Sequence, residues 1–285
     1  MLHFFKMQGC GNDFLILDGI KENIPRFSSE EAVYWCDRHF GVGADGLMVL
    51  RKGITTDVEW EFFNSDGSLA EMCGNGARCA VRFLSDRYFQ KNSEISLSTK
   101  AGVIRGRIVD LGKIEIALST GREIRLEYKE KILHLEDTAF NLACVNTGVP
   151  HAVLEVKDLL TYPIARIGKQ IQSHTAFQPE GTNVTFYQRL LGNQILSTTF
   201  ERGVGKETLA CGTGAAAAAF IFSEQYLQRF PVEVKVPGGL LEVSLSPEKR
   251  ILLVGPAEYV FEVDVKSLAD LKNPLKPYSE RRSAR

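Results

Sequence analysis

The chain has 285 residues, of which 44% are hydrophobic and 24% are charged, and its formal net charge is −1. This composition is that of a globular protein in water, and the length favours two domains. The near-neutral charge gives no basic footprint for nucleic acid, and no apolar run approaches the roughly 20 residues of a membrane span. The first residues lack the charged leader and long apolar core of a signal peptide, so we expect a cytoplasmic protein with no nucleic-acid or membrane partner.

Short strand-like segments, rich in β-branched and aromatic residues and separated by Gly, Asp or Asn, occur along the whole chain. Those of the first half begin at residues 1–6 and continue at residues 14–18, 47–51, 58–63, 95–98, 103–109 and 114–118. Those of the second half lie at residues 145–147, 152–156, 183–187, 196–200, 232–236, 240–245 and 251–254. The two halves therefore have a similar strand-rich pattern.

Helices are fewer. Ser28 and Glu31 have the spacing of a capping box, which predicts a helix that runs to about Phe40. A second helix follows Cys73, and its apolar residues recur at helical spacing.

That apolar spacing leaves Arg78, Arg82 and Asp86 outside the apolar face of the second helix. A third helix at residues 215–222 is apolar on every side, as expected for a buried helix, and its five alanines allow close packing. We therefore expect an α/β (α+β) fold with one helix inside a curled sheet in each half. The halves are expected to join near residues 119–121, giving domains 1–118 and 119–263, with residues 264–285 completing the first.

The most informative motif occurs twice. The sequence Cys73-Gly74-Asn75-Gly76-Ala77 returns 138 positions later as Cys211-Gly212-Thr213-Gly214-Ala215, and each copy leads into a helix. A helix start offers unpaired N–H groups and the positive end of the helix dipole, which stabilise a thiolate, so we expect both thiol pKa values to lie below about 8.5. Two activated cysteines that face one carbon from opposite sides indicate an epimerase or racemase that works without a cofactor.

The other four cysteines have no such motif. The absence of any C-x-x-C pair indicates neither a zinc site nor a thioredoxin-like motif, so we expect no metal and free thiols throughout. Cys36, Cys79 and Cys144 are interpreted as small buried hydrophobic residues. Cys10 lies in the turn at residues 9–12 and is expected to line the site without taking part in the chemistry.

Residues 41–46 match the G-x-G-x-x-G pattern of dinucleotide-binding proteins. In that fingerprint a strand precedes the glycines and a helix follows them. Here the predicted order is reversed, because a helix comes before the motif and a strand after it. We therefore interpret the segment as a turn.

Several polar residues have two possible roles. Asn12, Asn64 and Asn183 lie at strand ends, where they either form turns or bind the charged groups of an amino acid. Glu201 and Arg202 either hold charged substrate groups or pair with each other at the surface. His151 either orients a thiol or is a core histidine. These alternatives stay open at the level of residue spacing.

The chain resembles the diaminopimelate epimerases, the cofactor-independent enzymes of lysine biosynthesis. The resemblance rests on residues 6–14, 41–46, 64–68, 72–79, 148–151, 183, 201–203, 210–214 and 255–257, and it extends to about residue 265. Asn75 separates this family from the proline racemases, which usually have histidine there. The resemblance implies two pseudo-symmetric halves, each a curled, mostly antiparallel sheet around a central helix, with the site between them.

The resemblance also implies a reaction, the epimerisation of LL-2,6-diaminopimelate to the meso form in lysine and cell-wall precursor biosynthesis. It makes Cys73 and Cys211 the acid and base, assisted by His151 and Glu201. The substrate-binding residues that it implies are Asn12, Asn64, Gly74, Asn75, Asn183, Glu201, Arg202, Gly212 and Thr213. It further implies a homodimer with no cofactor and no metal.

Five features depart from the family pattern. Gly46 and Val149 stand where some members have glutamine and asparagine, so those side-chain contacts are lost. The segment between Arg202 and Cys211 has one residue more than in some members. Phe261 replaces a tyrosine linked to dimerisation, and the tail beyond residue 265 is longer than usual.

Two other functions remain compatible with these residues. One is a related epimerase for another amino acid, such as histidine, because the departures at Gly46 and Val149 affect how the far end of a substrate is recognised. The other is a redox or binding protein in which Cys73 and Cys211 switch to a disulfide.

Overall fold

The computed structural model describes residues 1–90, 93–110, 112–118, 127–135, 138–202, 205 and 207–266. In these residues sixteen strands form one continuous sheet, accompanied by four α-helices and one 3-10 helix. The helices are α1 Ser29–Cys36, α2 Gly74–Arg87, α3 Ile164–Ser173, the 3-10 helix Thr175–Phe177 and α4 Gly212–Tyr226. The strands are β1 Leu2–Gly9, β2 Asn12–Asp18, β3 Gly46–Lys52, β4 Val58–Asn64, β5 Ile95–Thr99, β6 Gly102–Asp110, β7 Lys113–Ala117, β8 Tyr128–Leu135, β9 Thr138–Asn146, β10 Pro150–Glu155, β11 Asn183–Arg189, β12 Gln194–Phe200, β13 Val232–Val236, β14 Gly239–Leu245, β15 Ile251–Pro256 and β16 Glu258–Val265.

The sheet consists of two halves with the same internal order. Read from the outer edge inward, the strands are arranged β16-β1-β2-β3-β4-β5-β6-β7 in the first half and β8-β9-β10-β11-β12-β13-β14-β15 in the second. In the first half β2 is parallel to β3 and β4 to β5, and in the second β10 is parallel to β11 and β12 to β13. The remaining pairs are antiparallel, and β7 pairs with β15 where the halves meet. The expected fold of two pseudo-symmetric, mostly antiparallel halves is confirmed.

Each half wraps around one helix, as predicted. In the first half α2 contacts β1, β2, β5, β6 and β7, and in the second half α4 contacts β9 to β15. Every residue of α4 from Gly214 to Ser223 is buried, which agrees with its uniformly apolar sequence. The alanines of α4 have no side chain beyond Cβ, so the surrounding strands approach the helix closely.

Of the three charged α2 residues outside the apolar face, one is buried. Arg82 and Asp86 are partly exposed and form an ion pair one turn apart, as their position outside the apolar face suggests. Arg78, by contrast, is 0% exposed. Its guanidinium donates to the Asn75 side chain and to the Pro256 carbonyl, which replace the hydrogen bonds of water.

Helix α1 begins as predicted and ends earlier. Ser28 accepts a hydrogen bond from the Glu31 backbone, and the Glu31 side chain accepts one from the Ser28 backbone, which completes the capping box. The helix ends at Cys36 rather than near Phe40, because Asp37 has an extended backbone. The Asp37 carboxylate also binds the backbone N–H groups two and three residues further on, which favours a turn over another helical turn.

The sequence reasoning did not find α3, β8 or β16. Strand β16 pairs with β1, so the chain has returned to the first half by Glu258, six residues before the expected boundary at residue 264. The expected junction at residues 119–121 lies outside the described residues, and the division into domains 1–118 and 119–263 stays a prediction. No helix among the described residues is long and apolar enough to cross a bilayer.

The second glycine of the repeated motif is packed more tightly in the second half than in the first. A Cβ added at Gly214 would lie 2.1 Å from the Thr199 hydroxyl oxygen, whereas one at Gly76 would lie 3.5 Å from the Met48 sulfur. We expect Gly214→Ala to lower the free energy of unfolding by about 1–3 kcal/mol through overpacking. Gly76→Ala should change it by less than about 1 kcal/mol, because the added methyl fits and alanine favours the helix. Urea unfolding of both variants tests this, and equal effects would contradict the packing described.

Candidate active site

Each cysteine of the repeated motif caps a helix. Cys73 precedes α2 and Cys211 precedes α4, both with extended backbone, and each carbonyl accepts the N–H of the alanine four residues on at 2.8 and 2.9 Å. The Cys73 sulfur accepts a hydrogen bond from the Gly76 N–H at 3.4 Å. The Cys211 sulfur instead lies 3.4 Å from the Thr213 hydroxyl. Both cysteines are half-buried free thiols.

A single side chain joins the two helix starts. The Asn75 amide nitrogen donates to the Ala210 carbonyl at 3.0 Å, and Ala210 is the residue before Cys211. The same nitrogen donates to the Asn12 side-chain oxygen at 3.1 Å, and that oxygen lies 3.6 Å from the Cys73 sulfur. The structure therefore brings both cysteines, Asn12 and Asn75 to one place between the halves.

Asn12 is held by a cluster of charged groups. Its amide donates to the Asp45 carboxylate at 2.8 Å, and Arg38 binds both Asp45 and Asp13. Lys6 forms a second ion pair with Asp13 at 2.9 Å. Hydrogen bonds from Arg38 and Lys6 hold the pKa of the Asp13 carboxyl well below its usual range, although burial opposes them.

This cluster explains the segment at residues 41–46. It forms a turn, as predicted, and β3 begins at its last residue. The turn places the Asp45 carboxylate against Asn12, a contact between residues 33 positions apart. The glycine-rich turn therefore helps to hold the Asn12 side chain in place.

A neutral hydrogen-bond network lies behind Cys211. His151 is 1% exposed, and its Nε2 atom lies 3.0 Å from the Thr213 hydroxyl, which contacts the Cys211 sulfur. Its Nδ1 atom lies 2.9 Å from the Thr185 hydroxyl. Burial, followed by the positive charge of Arg202, lowers the pKa of His151 to about 3, so the imidazole is neutral at pH 7. His151 reaches Cys211 through the Thr213 hydroxyl.

Glu201 acts on both sulfurs through its charge. The negative carboxylate disfavours the thiolate forms of Cys211 and Cys73. The Thr208 hydroxyl donates to this carboxylate at 2.6 Å, which fixes its orientation. The charge of Glu201 therefore favours the protonated form of each thiol.

The expected direction of the thiol pKa values is wrong. Backbone N–H groups at both helix starts do favour the thiolates, but burial of the sulfur is the larger effect. Burial, followed by the charge of Glu201, raises the pKa of Cys211 to about 12. The pKa of Cys73 is also raised by burial. Removing a charged sulfur from water outweighs the stabilisation that a helix terminus gives.

The remaining predicted residues surround this centre. Asn183 pairs with His151 in the sheet, and its side-chain oxygen accepts the Arg202 backbone N–H at 2.9 Å. The exposed Arg202 guanidinium donates to the Glu180 carbonyl, and among the described residues it forms no ion pair with Glu201. The structure therefore does not support the surface-pair alternative for these two residues.

Gly74 and Gly212 are the first residues of their helices, and Asn64 lies further out. Asn64 is exposed at the end of β4, where its amide donates to Ser68 and its backbone pairs with Gly46. A side chain at Gly46 is excluded, because its Cβ would lie 2.5 Å from the Phe62 ring.

Sequence reasoning missed Asp45, Thr185, Thr208 and Arg78. Asp45 and Arg78 stand inside motifs that were recognised, and that position was a usable signal. Thr185 and Thr208 carried no such signal. Cys10, Cys36 and Cys79 are buried and Cys144 is half-buried. No group of three or more His, Cys, Asp or Glu side chains in the described part of the chain is arranged to hold a metal ion.

Solved proteins of low sequence identity share this fold. A phenazine biosynthesis protein of the PhzF family from Enterococcus faecalis has a TM-score of 0.69 at 13% identity, covering 93% of this chain and 99% of that one. A probable proline racemase from Agrobacterium radiobacter has a TM-score of 0.65 at 14% identity, covering 94% and 93%. These likenesses show the fold.

The sequence comparisons are more specific. The family model for diaminopimelate epimerase matches residues 4–125 and 143–260. The diaminopimelate epimerase of Aquifex aeolicus is 39% identical over 274 residues, or 92% of this chain and 96% of that protein. That of Pseudomonas fluorescens is 37% identical over 277 residues, or 93% and 99%. The chain belongs to the diaminopimelate epimerase family, which confirms the resemblance seen in its motifs.

The buried His151 predicts how stability depends on pH. Its pKa of about 3 lies below the ordinary value of 6.5, so the unfolded chain binds a proton that the folded chain does not. Stability from this residue is complete above pH 6.5 and is lost as the pH falls towards 3. Between about pH 7 and pH 5 the free energy of unfolding should fall by about 2 kcal/mol from this residue.

Urea unfolding at both pH values measures this loss. His151→Gln should remove that part of the pH dependence, because glutamine keeps a hydrogen-bonding group and does not titrate. The matched control is His134→Gln, which changes an exposed histidine on β8 and should leave the dependence as it is. An unchanged pH dependence in His151→Gln would show that folding does not shift the pKa of His151, contrary to its burial.

Proposed function

We propose that this chain converts LL-2,6-diaminopimelate to meso-2,6-diaminopimelate in lysine and cell-wall precursor biosynthesis, and that it does so without a cofactor. The observation that carries the proposal is the meeting of Cys73 and Cys211 at two helix starts joined by the Asn75–Ala210 hydrogen bond. The family indicates the substrate, because the matching family model and the relatives are named diaminopimelate epimerase. The site supplies an acid and a base.

The chemistry requires removal of a weakly acidic α-proton. One cysteine, as thiolate, takes the proton from one face of the carbon, while the other, as thiol, gives a proton to the opposite face. The charge of Glu201 favours the protonated form of Cys211, whereas at Cys73 the charge of Arg78 opposes that effect, so we assign Cys211 as the acid and Cys73 as the base for the LL substrate. After the transfer, the Thr213 hydroxyl donates to the Cys211 thiolate, and His151 orients that hydroxyl.

The substrate carboxylate next to the reacting carbon gains negative charge during the transfer. Gly74 and Gly212 begin the two central helices, so their N–H groups have no partner within the helix and are available to this carboxylate. Both helix dipoles point their positive ends at the same place. Binding by the N–H groups of Asn75 and Thr213 is part of the same proposal.

The far end of the substrate carries a second carboxylate and a second ammonium group. Arg202 is exposed, and its bond to the Glu180 carbonyl is one that a substrate carboxylate can replace with two parallel hydrogen bonds. Asn12, Asn64 and Asn183 supply further polar groups around the same cleft. Glu201 contributes a negative charge for the ammonium group beside the reacting carbon.

The two cysteines provide the direct test. Cys73→Ala and Cys211→Ala should each lower epimerisation by at least about 10²-fold, because each face of the carbon loses its proton carrier. The measurement is deuterium incorporation from heavy water into one α-carbon of LL-diaminopimelate, followed by mass spectrometry. Cys144→Ala is the matched control, since this half-buried thiol on β9 takes no part in the site.

The same assay separates the alternatives. Exchange into L-histidine but not diaminopimelate would point to an epimerase for another amino acid. A lack of exchange in the wild type, with a disulfide between Cys73 and Cys211 after mild oxidation, would favour a redox protein. Near-normal exchange by Cys73→Ala would eliminate the two-base scheme.

We further propose that the protein is a cytoplasmic homodimer. The outer strands of the described sheet are β16 and β8, and β16 exposes Val260 and Phe261 by 52% and 43%. Apolar side chains on an unpaired strand edge favour pairing with a second copy. Phe261 occupies the position that the resemblance links to dimerisation, so we place the interface at β16.

Light scattering coupled to size-exclusion chromatography tests this interface. The wild type should have twice the mass of one chain, and Phe261→Glu should give a single chain, because a buried carboxylate opposes association. The control is Ile132→Glu, which changes a 68% exposed residue on the opposite edge strand β8. A dimer that survives Phe261→Glu and dissociates with Ile132→Glu would move the interface to β8.

A further inference from the structure

Arg78 is a buried cation without an anion. Its side chain is 0% exposed, and among the residues that the structure describes no carboxylate lies within ion-pair distance of it. Its Nη1 atom is buried without a hydrogen-bond partner. Burying an uncompensated charge is strongly unfavourable, so a purely structural role would be better served by an apolar side chain.

The fold makes room for this guanidinium. A Cβ added at Gly9 would lie 3.3 Å from its Nη2 atom, and one at Gly255 would lie 3.1 Å from its Nε atom. Nε donates to the Pro256 carbonyl at 3.3 Å, and Nη2 lies 3.8 Å from the Cys10 sulfur. Two glycines on different strands thus leave the space that Arg78 occupies.

The strongest contact of Arg78 leads to the active site. Nη2 donates to the Asn75 side-chain oxygen at 2.7 Å, which fixes the direction of the Asn75 amide group. That amide then donates both to Asn12 in the first half and to Ala210 in the second. Arg78 therefore determines which way Asn75 points when it joins the two helix starts.

The charges around the two sulfurs are unequal. Arg78 lowers the pKa of Cys73, while Glu201 raises it and also raises that of Cys211. The other titratable groups that face Arg78 are the thiols of Cys10 and Cys79, and both are buried. The cation therefore lies on the helix that Cys73 caps, whereas the carboxylate acts on both thiols.

We infer that Arg78 is a positioning residue for the reaction: it orients Asn75 between the two halves, and its buried charge selects Cys73 as the sulfur that carries the thiolate. The inference rests on the proposed two-cysteine function. The guanidinium of Arg78 has no anion in the empty site, and a thiolate formed at Cys73 during turnover supplies that negative charge.

The ionisation of each thiol is the test. Alkylation by iodoacetamide is followed over a range of pH, and mass spectrometry reads Cys73 and Cys211 separately. The midpoint of each profile reports ionisation independently of access, since only the thiolate reacts. In the wild type the Cys73 midpoint should lie below that of Cys211, and the reverse order would overturn the inference without any variant.

Two variants separate the charge of Arg78 from its geometry. Arg78→Gln can still donate to Asn75 but has no charge, so it should raise the Cys73 midpoint by about one pH unit, a tenfold loss of thiolate below the midpoint. The Cys211 midpoint should not move. Arg78→Lys keeps the charge and loses the planar donor group, so it should keep the Cys73 midpoint and lower kcat by misplacing Asn75.

The control is Arg82→Gln, one turn along the same helix, where the arginine pairs with Asp86 at the surface and should affect neither thiol. A folded Arg78→Gln with an unchanged Cys73 midpoint, or with equal shifts at both cysteines, would overturn the inference. If Arg78→Gln does not fold, the wild-type order and the Arg78→Lys midpoint still decide it. Thiol ionisation needs no substrate, so these results stand apart from any failure to epimerise diaminopimelate.

Discussion

The side chain of Asn75 is the one group on which the geometry of the site depends. It is 3% exposed, and its amide nitrogen gives one hydrogen bond to each half of the protein while its oxygen accepts one from Arg78. Losing any of these partners would leave a buried polar atom unsatisfied, which costs about 1–3 kcal/mol. Because Asn75 and Ala210 belong to the two motif copies, this network fixes how the two helix starts face each other.

The two halves repeat the same sheet but differ in charge. The motif copies share the cysteine and both glycines, whereas the positions of Asn75 and Arg78 in the first correspond to Thr213 and Ala216 in the second. The first half supports its cysteine with a charged cluster around Asn12, and the second with neutral hydroxyl and imidazole groups around Thr213. A symmetric backbone thus carries an asymmetric electrostatic site, which suits a reaction in which one sulfur gives a proton and the other takes one.

The sequence was sufficient for features that depend on local pattern. The strand segments, the capping box and the buried α4 all follow from short-range periodicity, and the repeated motif predicted two similar halves. Features that depend on distant contacts were missed or wrong. The burial of Arg78 was missed because helical periodicity shows only that it lies off the apolar face, and no local signal shows the two glycines elsewhere that make room for it. The pKa direction of the thiols was wrong because burial is a tertiary property.

The raised thiol pKa values bear directly on the chemistry of the proposed reaction. An α-proton of an amino acid is far less acidic than an ordinary thiol, so a thiolate of low pKa would be a poor base for it. Burial makes the thiolate a stronger base while lowering its population in the empty site. A substrate with an ammonium group beside the reacting carbon brings positive charge towards Cys73, and Arg78 is already there. That positive charge increases the thiolate population, so the base is formed when a substrate is bound.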